Sequence, residues 1–244
     1  MATQIDLSTW QRAEHFSFFK DLANPYFSVC VRIDAGELFA ACKQSGQSFY
    51  LACLYALLRA NNSYQPVCHR IDNNQVWLCD KIEINAVQLD EQNLFKISYL
   101  PYAEGFADFS EKGKIAFETA ISQPFFSEQF NTIEGRLNCI HVSVLPWLDF
   151  TGFSHATPFG EQNGIPKFVF GKFDKQLGTM PLNIDVHHGL MDGFHVAQFV
   201  NVLQQEMAAL AKSLLWFYLI KIQLFNIHQF TGAAILYFCA IKIG

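Results

Sequence analysis

The chain has 244 residues, 51% of them hydrophobic and only 16% charged, with a net charge of -5. That length suits one large domain or two small ones and can bury a substantial core, and the charge balance excludes a partner held by bulk positive potential, so neither nucleic acid nor an anionic membrane surface is expected. Phe is used heavily, at 25 residues, which fits a large core, aromatic-lined pockets or both.

No repeat, low-complexity tract or Pro/Gly-rich linker divides residues 1–212, which read as one domain. The opening "MATQIDLSTWQRAEHF" has no basic or apolar leader region and does not read as a signal peptide. Ser8 with Gln11 predicts a capping box for a helix through Trp10, Ala13, Phe16 and Phe19. "YFSVCVRID" (26–34) predicts a strand, after which Asp34 caps a second helix with Glu37 three residues on. "FYLACLYALLRA", apolar nearly all round, predicts a buried third helix. "QPVCHRIDNNQVWLCDKIEIN" predicts two strands joined at Asn73-Asn74, because Asn tolerates positive φ. "NLFKISYLP" is a further strand, "DFSEKGKIAFETAIS" an amphipathic helix, and "NCIHVSVLPW" and "PLNIDVHH" two more strands. After Asp192, the residues Val196, Phe199, Val200, Leu203, Met207 and Leu210 recur at steps of three and four and predict a final helix. Strands and helices without strict alternation indicate an α/β fold, a mixed β-sheet with helices packed against it. No G-x-G-x-x-G or Walker A sequence is present.

The 7 cysteines (30, 42, 53, 68, 79, 139 and 239) include no C-x-x-C pair. Several lie in apolar runs, so they read as buried thiols of a reducing cytoplasm and not as a disulfide framework or zinc site. Residues 213–244 differ in kind: between Lys221 and Lys242 no side chain is charged. The run is long enough to cross a bilayer, but Gln223, Asn226, His228, Gln229 and Thr231 make it a poor hydrocarbon segment. An apolar element packed on the domain, or an altered reading frame, suits it better than a membrane anchor.

The chemistry concentrates in "VHHGLMDGFHV" (186–196). His187 and His188 are adjacent on an extended segment and point to opposite faces, so they do not share a metal, and no metal is expected. Two readings remain open from the residues alone. Either the histidines are strand-end polar groups and Asp192 only caps the final helix, or one His is a general base, its ordinary pKa near ~6.5 suiting proton abstraction from a hydroxyl.

"VHHGLMDGFHVAQF" resembles the H-H-x-x-x-D-G-F-H-V segment of the trimeric, CoA-dependent chloramphenicol acetyltransferases. "WQRAEHF" (10–16) is similar to that family's W-x-R-x-E-H-F stretch, "VSVLPWLDFTGF" (142–153) to its P-W-x-x-F-x-S-F stretch, and "GKF" (171–173) to its G-K-Y, in family order over roughly residues 5–212. The resemblance implies a compact α/β subunit in a cytoplasmic homotrimer, with active sites between subunits. It implies acetyl-CoA as co-substrate with no permanently bound cofactor, and chloramphenicol as acceptor, hence antibiotic resistance. By the same resemblance His188 is the base that prepares the acceptor hydroxyl for direct attack on the thioester, and Asp192 pairs with Arg12 to hold the loop. Phe19, Phe27 and Phe150 match the acceptor site, their alternative being plain core, and Lys172 and Phe173 match the CoA region.

Two positions depart from the pattern. Where the family carries a Ser that donates to the developing oxyanion, this chain has Gly152, and where it carries a Thr before G-K-Y, this chain has Val169. A missing oxyanion donor costs about 10²–10³ in turnover. The departures keep two alternatives open: another acceptor alcohol or thiol, or a weakly active protein that binds drug or CoA.

Overall fold

A computed structural model describes residues 2–133, 135–156 and 162–241, with side chains as far as residue 223. Its main sheet has six strands in the order β2-β9-β8-β7-β5-β6: β2 Tyr26–Asp34, β5 Glu83–Leu89, β6 Phe95–Leu100, β7 Cys139–Val144, β8 Lys167–Phe170 and β9 Thr179–His187. The β5–β7 and β7–β8 pairs are parallel and the other pairs are antiparallel. A smaller antiparallel sheet joins β1 Ala2–Gln4, β4 Gln75–Cys79 and β3 His69–Asp72. The helices are α1 Ala13–Phe19, α2 Gly36–Ser45, α3 Phe49–Ser63, α4 Phe106–Ser122, α5 Glu128–Ile133 and α6 Gly193–Ile241. This is the mixed α/β architecture that the pattern of elements predicts.

One face of the main sheet is apolar and meets the helices. Phe27, Val29, Val31 and Ile33 on β2 lie beside Val186, Ile184, Leu182 and Met180 on β9, and all belong to one core with Phe168, Val142 and Ala86. The buried α3, capped by the Ser48 hydroxyl on the N–H of Leu51, packs on that core with α6. The other face is polar. Following the register across the six strands, Ser28, Asp185, Lys167, His141, Asn85 and Tyr99 stand side by side. Alternation along each strand separates the two sets. Arg70, fully buried, joins the small sheet to the start of β7 by donating to the carbonyls of Val67, His69, Leu137 and Cys139.

Three local expectations need correction. Ser8 caps no helix: its hydroxyl and N–H both bond Asp6, which closes a turn, and α1 begins only at Ala13. Asp34 accepts from the N–H of Gly36, but the residue before α2 is Ala35. The stretch around Asn73-Asn74 makes three strands, because a break after Cys79 sends β5 into the main sheet. The turn itself is as expected, with φ of 50° and 59° at Asn73 and Asn74. At the other end, α6 runs through residue 212 without a break, and Leu214 is buried in the core. Among the described residues no helix is long and apolar enough to cross a membrane. Cys42, Cys53, Cys68, Cys79 and Cys139 are free and buried, and burial raises the thiols of Cys42, Cys68 and Cys139 to about 11. The side chain of Cys239 lies outside the described residues.

Candidate active site

His188 follows the last residue of β9, where the strand stops and a turn leads to α6. Its N–H donates to the carbonyl of Pro25 at 2.8 Å, just before β2, so the β2–β9 pairing extends to the histidine itself. The half-buried ring stacks on Phe19 of α1, with centroids 4.1 Å apart and planes 5° from parallel. Phe27 of β2 meets it at 4.6 Å. Two aromatic faces thereby hold the imidazole in one orientation. Nδ1 is buried without a hydrogen-bond partner among the described residues, and Nε2 is the nitrogen left open to a ligand.

Arg12, immediately before α1, braces the turn. Its Nη1 donates to Asp192 Oδ2 at 2.9 Å and its Nη2 to the carbonyl of His188 at 3.0 Å. The other oxygen of Asp192 accepts from the N–H groups of Phe194 and His195 and from His195 Nδ1 at 2.8 Å, which caps α6. Burial alone would raise the Asp192 carboxyl, but the bonds from His195 and Arg12 outweigh it and hold the group down at about 2. His187 points the other way, against Tyr26, with Nδ1 accepting from the N–H of Gly189. Burial, with His188 beside it, lowers its pKa to about 4, so it is neutral at physiological pH.

The remaining candidates sit elsewhere. Phe173 packs against Phe39 and Phe49 at 4.7 and 5.2 Å, with Lys172 exposed next to it. Phe150 lies over Gly171, where an added Cβ would come within 2.8 Å of its ring. The segment carrying Phe150 and Gly152 runs down the polar face of the sheet. Asp149 pairs with Arg32 at 2.8 Å, Cys30 Sγ reaches the carbonyl of Phe150 at 3.8 Å, and His155 bonds Asp185 beside Ser28. His188, in contrast, packs against Phe27, on the opposite face. Phe19, Phe27, His188, Arg12 and Asp192 are therefore brought together, and Phe150, Gly152, Lys172 and Phe173 are not brought to them within one chain.

A cleft of about 880 Å³ opens between α3, α4 and α6, lined by Tyr55, Arg59, Phe106, Lys114 and Leu214 among others. None of the candidate residues borders it, so its size does not mark the chemistry. Among the described residues no group of three or more His, Cys, Asp or Glu is placed to hold a metal.

Residues 1–204 match the family model for chloramphenicol acetyltransferase. The chain belongs to the chloramphenicol acetyltransferase family. It is accordingly an acyltransferase. Chloramphenicol acetyltransferase 2 of Escherichia coli is 30% identical over 207 residues, covering 83% of this chain and 95% of the relative. The chloramphenicol acetyltransferase of Proteus mirabilis is 30% identical over 211 residues, covering 82% and 92%. A solved chloramphenicol acetyltransferase superposes with a TM-score of 0.77 at 29% identity over 85% of this chain and all of the other. The cubic core of the pyruvate dehydrogenase multienzyme complex, at 16% identity and a TM-score of 0.57, shares the fold, covering 83% of this chain and 88% of its own.

Against this family background Gly152 is open: it is exposed, and a Cβ built on it meets nothing within 4 Å. Val169 is fully buried on the polar side of β8, beside Asn183 and Ser143. Two polar residues of that face had no motif to announce them. Asp185 and His155 are visible in the sequence only as the polar members of an alternating strand and a lone His five residues after Phe150.

Proposed function

We propose that this chain is an O-acetyltransferase that moves acetyl from acetyl-CoA to a hydroxyl of chloramphenicol, with His188 as general base. The observation that carries the reading is the His188 ring clamped between Phe19 and Phe27, with its main chain pinned by Arg12 and Pro25. In this reading Nε2 takes the hydroxyl proton while the acceptor oxygen attacks the thioester carbon. The electron pair of the carbonyl moves onto its oxygen, then returns as the C–S bond breaks, and His188 gives the proton to the leaving CoA thiolate. No acyl-enzyme forms. Phe19 and Phe27 supply an apolar wall for the acceptor, Phe150 and Gly152 the opposite side, and Lys172 with Phe173 the CoA approach. Asp192 and Arg12 act on the loop and do not touch the reacting atoms. CoA comes and goes as co-substrate.

The reading includes a homotrimer. His188 faces one side of the β2–β9 pair and the 149–155 segment the other, so the two meet only when separate copies supply them. A closed ring, with one copy's segment on the next copy's His188, satisfies that requirement for every subunit. The free buried thiols fit a reducing cytoplasm.

Thiol release from acetyl-CoA by the full chain, with and without chloramphenicol, tests the reading. Release is expected to depend on the drug and to vanish in His188→Ala with unfolding behaviour unchanged. Full activity in His188→Ala would refute the base. Absence of release from a protein that still binds drug or CoA transfers the reading to a binding protein or another acceptor, which the missing hydroxyl at Gly152 favours.

A further inference from the structure

Acyl transfer needs a donor at the carbonyl oxygen, and residue 152 has no side chain to give one. The main chain around it has donors to spare. Among the described residues the N–H groups of Thr151, Gly152 and Phe153 make no hydrogen bond, and Thr151 and Gly152 are exposed. A free N–H serves catalysis only if it is held in place beforehand, since a misplacement of about 1 Å costs about 10²-fold in rate.

The ties on this segment are unequal. The Asp149–Arg32 pair is exposed on both sides and contributes little, and the Cys30 thiol is a weak donor to Phe150. The third tie is buried. Asp185, 6% exposed, accepts from His155 Nδ1, from the Ser28 hydroxyl and from Asn183 Nδ2. Burial alone would raise its carboxyl, and the three donors reverse that and lower it, so an ionised carboxylate anchors the far end of the segment. The His155 ring also meets Phe153 edge to face at 4.9 Å, which transmits the anchor to the peptide beside Gly152.

We propose that His155, held by Asp185, is a positioning residue for acyl transfer, fixing the 151–153 main chain so that its N–H groups replace a side-chain hydroxyl at the oxyanion. These donors stabilise the electron pair on the carbonyl oxygen while it is there, and no proton passes through His155. The inference rests on the acyl-transfer reading above.

Steady-state kinetics of the full chain with acetyl-CoA and chloramphenicol test it in wild type, His155→Leu, His155→Asn, Gly152→Ser, the Gly152→Ser/His155→Leu double variant and His188→Ala. Leu keeps bulk and loses the bond to Asp185, whereas the Asn amide supplies an N–H close to where Nδ1 stood. His155→Leu is expected to lower kcat about 10- to 100-fold with both KM values nearly unchanged. His155→Asn is expected to recover most of the rate. In the Gly152→Ser background the loss from His155→Leu is expected to shrink to about threefold or less, because the new hydroxyl makes the main-chain donors dispensable. Wild-type kcat in His155→Leu, a loss expressed in KM, or the same loss in both backgrounds overturns the positioning role. If His155→Leu does not fold, His155→Gln takes its place in the same cycle. Turnover that depends on His188 but not on His155 overturns this inference alone, whereas no turnover in wild type, or full turnover in His188→Ala, overturns the function reading beneath it.

Discussion

Arg12→Ala removes two charge-assisted bonds at once, the 2.9 Å bond to Asp192 and the 3.0 Å bond to the carbonyl of His188. Such bonds are worth about 1.5–3 kcal/mol each when fully buried. Three features reduce the sum here. Asp192 is 35% exposed against 13% for Arg12, so water takes up part of the loss. Asp192 also keeps its bonds from Phe194 and His195, and Arg12 Nε already lacks a partner. The net cost is about 2 kcal/mol, or a fall in Tm of about 4–8 °C for a chain of this size. Thermal unfolding at fixed protein concentration and pH 7 measures it. The rate of acetyl transfer is expected to fall as well, because among the described residues the His188 main chain then keeps only the bond to Pro25.

The pH dependence separates this pair from general destabilisation. The folded-state pKa of Asp192, about 2, lies below its unfolded value near ~3.9. The stabilisation is therefore complete above about pH 4 and is lost as pH falls through about 2. The Tm values of wild type and Arg12→Ala are expected to converge across that window. A difference below about 1 °C at pH 7, or one that stays constant down to pH 2, refutes the argument that an ionised Asp192 holds this joint.

Gly152→Ser is expected to raise kcat about tenfold with no loss of Tm, since a Cβ there meets nothing; an unchanged or lower rate in the kinetic assay shows that a hydroxyl there adds nothing to the donors already present. Gly171→Ala pushes a Cβ to 2.4 Å from Pro181 Cγ and 2.9 Å from the carbonyl of Leu148. It is expected to cost about 1–3 kcal/mol in denaturant unfolding, and a wild-type midpoint would show that the backbone yields freely. Burial lowers His187 and His141 to about 4, with His188 and Lys167 as the respective second causes. Unfolded, both titrate near ~6.5, so stability is full above that value and declines as pH falls from about 6.5 to about 4. His187→Gln is expected to flatten that decline in Tm, and an unaltered slope removes His187 from it.

Fold class was legible because period and length agree for most elements. "YFSVCVRID" is β2 residue for residue, and the step of three and four after Asp192 is α6. Capping was less legible. Ser8 and Asp34 have the right chemistry for a cap, but Asp6 captures the first and Ala35 displaces the second. The composition break at Ser213 is not a packing break, since the buried stripe Leu203, Met207, Leu210 continues to Leu214 while Trp216, Phe217 and Leu219 turn outward. Across the sheet the limit is register. Nothing local links Ser28, Asp185, Lys167, His141, Asn85 and Tyr99, which come from six strands and become neighbours only once pairing is fixed.

Asp192 does both what the local motif offers and what the family resemblance implies. Capping and pairing look like alternatives for one carboxylate, yet they use different oxygens. Oδ1 accepts from the first turn of α6 and from His195, and Oδ2 accepts from Arg12. The cap fixes where the helix starts, and the pair fixes that start relative to α1. Arg12 then reaches the carbonyl of His188 with its remaining amine, so helix start, α1 and strand end are locked by one guanidinium. Phe19 lies at the end of that same α1, which is how a brace at residue 12 also sets the aromatic face against the imidazole.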